Sequence, residues 1–451
     1  MRPTVNTRVL YTLLSALVII VGSILVIRFA EGYRFSSQKR TVQGEGLLAA
    51  NSFPSGGEIY IDGKLVGVTD DNAIYLNPGQ YTVEIRKDGY TPWQKVIRIE
   101  KELVTQTNAQ LFRRVTGLTP LTFAGVRNIS PSPDGQKLLF YTASASAQTK
   151  NGLYLLDLSS NFLSANHDPQ QISEESPGFD LSKANFVWSP ENNEVILSTI
   201  GHDVLLDLSK KNNITALPDI SFKKKQLLSE WESVLYLKER QYLARFPDKV
   251  LKVATSSAQN VYLSPDKKKI MYTATARGTL PTNLIPSLLS SNSQTEHRSV
   301  LPGMTYVYDR EEDKNFLISL ERKDLPALSP TNKILLASDL FNKFAATYSS
   351  SPSAFQRLQA SSSAEITNNF KSYYSSLYST GIQWFPDSKH LLYSDQNKIY
   401  IVEYDNTNNT VVYDGPFTDS FVYPWPDGSR LLILTSFSAN SPMNLYAIEL
   451  K

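Results

Sequence analysis

The longest apolar run in the chain comes first. Val9 to Ile27 reads VLYTLLSALVIIVGSILVI, carries no charge and is bracketed by Arg8 and Arg28. As a helix rising about 1.5 Å per residue it extends roughly 28 Å, close to the thickness of a bilayer's hydrocarbon core. The run is longer than the apolar part of a cleaved leader. Arg28 and Phe29 follow it, where a cleavage site needs small residues. The pattern therefore predicts an uncleaved signal anchor over 9–27, preceded by a tail at 1–8 and followed by a linker at 28–50. Charge alone leaves the orientation open. Arg2 and Arg8 lie on one side and Arg28, Arg34, Lys39 and Arg40 on the other, a count that favours a cytoplasmic C-terminal side.

Beyond the linker the period changes to two. Ile59 and Ile61 alternate with polar neighbours before Asp62-Gly63, a tight-turn pair. Pro78-Gly79 is a second turn pair, in which proline presets φ and Gly79 is expected in the left-handed region. Tyr81, Val83 and Ile85 then share a face, Asp88-Gly89 turns the chain again, and Trp93, Ile97 and Ile99 resume the alternation. Four or five short strands over 51–112 suit a small β-sandwich with one aromatic anchor.

The remaining chain, 116–451, contains an internal repeat. Five segments align without gaps: NISPSPDGQKLLFYTA from Asn128, NFVWSPENNEVILSTI from Asn185, NVYLSPDKKKIMYTAT from Asn260, GIQWFPDSKHLLYSDQ from Gly381 and FVYPWPDGSRLLILTS from Phe421. Each carries proline at its sixth position (Pro133, Pro190, Pro265, Pro386, Pro426), and an acidic residue follows: Asp134, Glu191, Asp266, Asp387 and Asp427. Proline ends one strand, the acid and its small or polar neighbours turn the chain, and an apolar strand leaves the turn. A further strand usually follows, such as GLYLLDL, TYVYDREEDKN or LYAIEL. A weaker candidate unit, VLYLKERQYLARFPDKVLKVA from Val234, lacks the full pattern. Uneven spacing of the prolines places insertions near 278–299 and over 323–380. The second is rich in Ser and Ala and suits either a solvated linker or a partly helical lid or docking arm.

Two families share these patterns. IYIDGKLVG…LNPGQYTVEIRKDGYTPWQKVIRI, within 51–112, resembles the PEGA domain, with Asn77-Pro78-Gly79-Gln80 in place of the tetrapeptide that names it. The resemblance implies a small extracytoplasmic β-module beside a membrane anchor, without activity of its own. The five Pro-acid boxes resemble the blades of TolB-like and WD-type β-propellers, and imply a propeller of about six blades. The expected fold is thus all-β with one N-terminal transmembrane helix.

Composition narrows the function classes. Among 451 residues there is no cysteine, which excludes disulfides, thiol catalysis and thiolate metal sites. A net charge of +2 gives no argument for nucleic acid as a partner. No phosphate loop, dinucleotide fingerprint or Gly-x-Ser-x-Gly occurs. The four histidines, His167, His202, His297 and His390, lack metal-ligand spacing. No catalytic, cofactor or metal residue is therefore assigned, and no cofactor is expected. The box acids recur with every unit, as turn residues do and a catalytic acid does not. Asn128, Asn213 and Asn408 head Asn-x-Ser/Thr triplets at a chance level, and no glycan is assigned. Trp188, Trp384 and Trp425 precede box turns. They form either an aromatic rim for sugar or peptide or the packing between blades. The expected function is a membrane-anchored, extracytoplasmic, non-enzymatic binding or scaffolding protein of the cell envelope, with an envelope protein, peptide or glycan as partner. The alternative is a propeller enzyme, a hydrolase or lyase acting on glycans through inter-blade carboxylates.

Overall fold

The computed structural model describes residues 7–30, 33–36, 41–70, 73–159, 168–286, 292–318, 381–418, 421–438 and 441–451. The expected insertion at 323–380 lies outside them. The apolar run forms one helix, α1, Thr7–Ala30. Among the described residues no helix is long and apolar enough to cross a membrane. The side chains described in α1 run from Tyr11 to Ile27 only, so the expected transmembrane span is not supported here and rests on the sequence. The chain divides into two compact units. One ends at Leu111 and includes the short stretch that ends at Gln294; the other runs from Phe112 to Lys451 apart from that stretch.

In the first unit an antiparallel sheet orders Lys64–Val68, Glu58–Ile61, Gly79–Arg86 and Trp93–Ile99. A three-stranded sheet orders Val104–Gln106, Gly46–Ala49 and Ala73–Leu76. The alternation in the sequence decides what is buried: Ile59, Ile61, Val83, Ile85, Trp93, Ile97 and Ile99 join Leu48 and Leu111 in one core, while their neighbours face solvent. The turn chemistry matches at Asp62 and Gly63, with φ of 49° and 80°, and at Gly89, with φ of 79°. Gly79 does not match. It is absent from the positive-φ positions and opens a strand, paired with Ile99. The bend falls before it, so Gly79 is used as ordinary strand backbone, which corrects the left-handed expectation.

The second unit is built of radial sheets. Blade 1 is Arg127–Pro131, Lys137–Thr142, Gly152–Asp157 and Gln170–Glu174. Blade 2 is Asn185–Trp188, Glu194–Thr199 and His202–Asp207. Blade 3 is Ala258–Leu263, Lys269–Ala274, Thr305–Asp309 and Lys314–Ile318. Blade 4 is Gln383–Trp384, His390–Asp395, Lys398–Glu403 and Thr410–Asp414. Blade 5 is Val422–Pro424, Arg430–Thr435 and Asn444–Glu449, and its fourth, outer strand is Leu118–Pro120 from the start of the unit. That strand ties the two ends of the ring together and leaves neither as a free sheet edge. Near-continuous apolar runs such as Leu138–Tyr141 are buried on both faces because each sheet is sandwiched between neighbours.

The blades pack in sequence. Separate apolar clusters join blade 1 to blade 2, blade 3 to blade 4, blade 4 to blade 5 and blade 5 to blade 1. Between blades 2 and 3 the chain is helical: α2 is Lys224–Leu243 and α3 is Asp248–Ser256. Leu228 and Trp231 of α2 pack on blade 2, while Leu243, Phe246, Val250 and Ala254 pack on blade 3. Five blades stand among the described residues, and this helical pair stands between the second and the third. The weak candidate unit from Val234 is thereby corrected. Leu227, Leu228, Trp231 and Leu235 follow the 3.6-residue period of a helix, which outweighs the local Phe-Pro-Asp likeness to a box. Within blade 3 a long excursion joins the second strand to the third, and its described residues include a ribbon, Gly278–Thr279 with Ser299–Val300.

Candidate functional site

The repeated boxes form one local structure. The amides of Ser132, Ser189, Ser264, Phe385 and Trp425 donate to the carbonyls of Lys137, Glu194, Lys269, His390 and Arg430 at 2.8–2.9 Å. The residue three places on, Gly135, Asn192, Lys267, Ser388 or Gly428, has φ between 56° and 77° and donates its amide back to the first carbonyl. A residue after the third strand then donates into each turn, as Leu158 does to the Gln136 carbonyl at 2.7 Å.

The carboxylates staple these turns. Asp134 accepts from Ser132 Oγ at 2.6 Å and from the Gln136 amide at 3.1 Å. Asp266 accepts from Ser264 Oγ at 2.6 Å and the Lys268 amide at 3.0 Å. Asp427 accepts from the Ser429 amide and hydroxyl at 2.8 and 2.6 Å. In blade 2 the staple is Ser189 Oγ with Asn193 Oδ1 at 3.0 Å, and Glu191 turns outward to Lys238 of α2 at 2.8 Å. In blade 4 Asp387 accepts from the amides of Lys389 and His390 and meets His390 Nδ1 at 2.6 Å. Burial pushes this carboxyl up, but the His390 imidazole and the two amides outweigh it and hold the group below its ordinary value.

All five boxes join a first strand to a second, so antiparallel pairing places them at one end of the propeller, the box end. Successive boxes touch. Lys137 Nζ donates to the Asn192 carbonyl at 2.9 Å, the Asp266 amide to Ser388 Oγ at 2.9 Å, and Phe385 lies against Gly428. Tyr423 of blade 5 lies against Gly135 of blade 1. Between blades 2 and 3, α2 makes the link: Lys238 bonds to Pro190 and Glu191, and Lys267 sits over the Tyr242 ring at 5.6 Å.

The three tryptophans serve the same joining. Trp188, Trp384 and Trp425 are 0%, 9% and 2% exposed, so they form no rim. Trp188 Nε1 donates to Ser130 Oγ of blade 1 at 2.9 Å, and Trp384 Nε1 to the Tyr262 carbonyl of blade 3 at 3.2 Å. Trp188 and Trp384 face the preceding blade, whereas Trp425, one place later in its box, faces the other way and packs in the cluster that blade 5 shares with blade 1.

Two buried charge networks lie in blade 3. Lys269 is sealed between blades, 3.5 Å from Asp309 and 3.9 Å from Asp266, with its ammonium 4.8 Å above the Tyr404 ring. Arg298, from the long excursion, pairs with Glu296 at 2.7 Å and Asp313 at 3.2 Å. Asp313 also accepts from Tyr308 Oη at 2.8 Å and the Leu284 amide at 2.8 Å. Burial, and then that bond to Asp313, drive the Tyr308 hydroxyl far above its usual range. The Arg298 and Asp313 contacts hold the excursion to its blade. Among the described residues no group of His, Asp or Glu could hold a metal ion. Of the asparagines, Asn128 is structural, donating to the carbonyls of Leu181 and Ala184 at 2.8 and 2.9 Å.

Residues 45–115 match the PEGA domain family. A comparison with curated proteins finds no match. Solved structures similar to the chain include a putative TolB from Agrobacterium tumefaciens, 12% identical over 74% of this chain and 86% of that one, with a TM-score of 0.22. TolB from Acinetobacter baumannii is 11% identical over 82% of this chain, which spans 59% of that protein, with a TM-score of 0.21. Kuenenia stuttgartiensis hydrazine synthase is 12% identical over 93% of this chain and 99% of that one, with a TM-score of 0.19. Likenesses this slight carry no argument, and the propeller rests on its own sheets.

Proposed function

We propose that this chain is a membrane-anchored, extracytoplasmic binding or scaffolding protein of the cell envelope, in which a PEGA-like module follows the anchor and precedes a propeller. The observation that carries the reading is α1. Its large apolar side chains from Tyr11 to Ile27 are 46–69% exposed on every face of the helix. A helix that is apolar all round has no stable place in water and belongs in a protein core or a bilayer. The match of residues 45–115 to the PEGA family supports a module placed beside that anchor. The non-enzymatic reading is supported by the use of the acids: Asp134, Asp266, Asp387 and Asp427 are engaged by their own turns. No observation favours glycan cleavage. The partner is an envelope protein, peptide or glycan.

The test is cell fractionation followed by protease added to spheroplasts. The full chain sediments with membranes, deletion of residues 1–30 releases it, and the propeller is digested before lysis. A propeller protected until lysis would overturn the extracytoplasmic reading, and an unchanged distribution after the deletion would overturn the anchor.

A further inference from the structure

The end of the propeller opposite the boxes differs in chemistry from the box end. The exposed aromatic residues of the second unit, among those described, are Phe123, Phe222 and Phe437, and all three lie at this far end. Phe437 stands in the loop between the second and third strands of blade 5, edge-on to Tyr446 at 5.2 Å. Phe123 stands in the adjoining loop, which is fixed by Thr122 Oγ1 and the Gly125 amide to Asn444 Oδ1 at 3.1 and 3.0 Å. Ile200, 97% exposed, tips the corresponding turn of blade 2. Phe222, 79% exposed, precedes α2 beside it. These two tips are held together, because Lys224 Nζ bonds to Ser198 Oγ at 2.9 Å and Asp203 Oδ1 at 2.7 Å, and the Ile220 amide bonds to the Asp203 carbonyl at 2.8 Å.

From this we infer that the far end of the propeller rests on an anionic lipid surface, inserting the separate tips Phe123, Ile200, Phe222 and Phe437. The lipid is chosen over a folded protein for two reasons. The tips project singly from loops of different blades, so they suit a deformable apolar layer rather than one shaped partner. Phe222 is followed directly by Lys223, Lys224 and Lys225, and the Lys223 ammonium lies 5.4 Å from the Phe222 ring. An aromatic tip with cations at its base is complementary to acyl chains beneath anionic headgroups. The inference goes beyond the proposed anchor, since it concerns the propeller's own face.

Because the chain has no cysteine, the full chain can carry single reporters. An environment-sensitive fluorophore is placed on Ile200→Cys, Phe222→Cys or Phe437→Cys, with Gln136→Cys at the box end as control. The protein is mixed with phosphatidylcholine vesicles with or without phosphatidylserine. The three far-end labels shift to the blue and are quenched by brominated lipid when phosphatidylserine is present, while the control stays aqueous. Lys223→Glu with Lys225→Glu lowers this partitioning by on the order of tenfold or more. Co-flotation of the chain reports the anchor separately: a chain that floats while its far-end labels stay aqueous overturns the lipid-facing assignment and leaves the anchor standing. Equal shifts at Gln136→Cys, or shifts indifferent to phosphatidylserine and to the charge reversals, also overturn it.

Discussion

The two units bury the same kind of alternating strand in different ways. In the first, two sheets close over one core, and Ile59, Val83, Ile85 and Trp93 all belong to it. In the second, apolar contact is divided among clusters between successive blades, and each blade carries its own stapled turn. A small module concentrates its stability, so one side chain reaches most of it. A ring distributes stability, so the same size of change stays beside the blade where it is made. The largest expected effect lies in the concentrated core. Trp93→Ala removes the anchor of the four-stranded sheet and costs about 3–5 kcal/mol, measured by denaturant unfolding of the full chain followed with a probe in the first unit. An effect below the range of surface substitutions would mean that this core is not shared as described.

The ring side of the comparison is tested at its staples. Asp134→Ala removes the acceptor for Ser132 Oγ and the Gln136 amide and costs on the order of 1–2 kcal/mol. Asp266→Ala acts alike in blade 3. Sites that share no partner add, so the double variant loses the sum to within about 0.5 kcal/mol. A coupling larger than that, seen in a double-mutant cycle by chemical denaturation, would show that the boxes act as one network rather than as separate staples.

These particulars also show what the sequence could disclose. The boxes were legible because the turn needs the same hydrogen bonds in every blade, and repetition separates turn chemistry from catalysis. The PEGA-like alternation was legible for a similar reason: period two fixes which of Ile59, Tyr60 and Ile61 is buried. Two readings failed, and one stayed undecided, where a local motif was weighed without its surroundings. Phe246-Pro247-Asp248 looks like a box, yet Leu228, Trp231 and Leu235 had already set a helical period upstream. Pro78-Gly79 looks like a turn with a left-handed glycine, yet pairing with Ile99 draws Gly79 into the strand. A tryptophan before a turn shows its position but not its direction, and the direction is set by the neighbouring blade, through Ser130 for Trp188 and Tyr262 for Trp384. The joining role of α2 had a signal in Lys238 and Tyr242 only once the boxes they touch were known in space.

A pH experiment sharpens the contrast on the blade side. Tyr141 of blade 1 is pushed up to about 12, first by burial and then by donating its hydroxyl to Glu175 Oε1 at 2.7 Å. The neutral phenol is the form the fold favours. Its contribution is fully present below the ordinary tyrosine value near 10 and is lost as pH rises from there through about 12. Tyr141→Phe should therefore lower the neutral plateau by about 1 kcal/mol, through loss of the bond to Glu175, and flatten the fall in stability across that alkaline window. Equal alkaline slopes in the two proteins, read from denaturation midpoints at stepped pH, would contradict the assignment.

The smallest expected effect separates two glycines of the first unit. At Gly79 the backbone is extended, and a Cβ there would meet Tyr81 at 3.6 Å, an ordinary contact. Gly79→Ala is expected to change stability by no more than about 0.5 kcal/mol. At Gly89 a Cβ would meet nothing within 4 Å, so crowding plays no part there. Its φ of 79° is nevertheless a conformation that side chains rarely adopt, and Gly89→Val costs on the order of 1–3 kcal/mol through backbone strain alone. The pair isolates conformation from packing, because the site with the nearer neighbour is the one expected to tolerate its substitution. Thermal unfolding of the two variants beside the parent decides it, and a larger loss at Gly79 than at Gly89 would return Gly79 to the left-handed turn that its Pro-Gly context suggested.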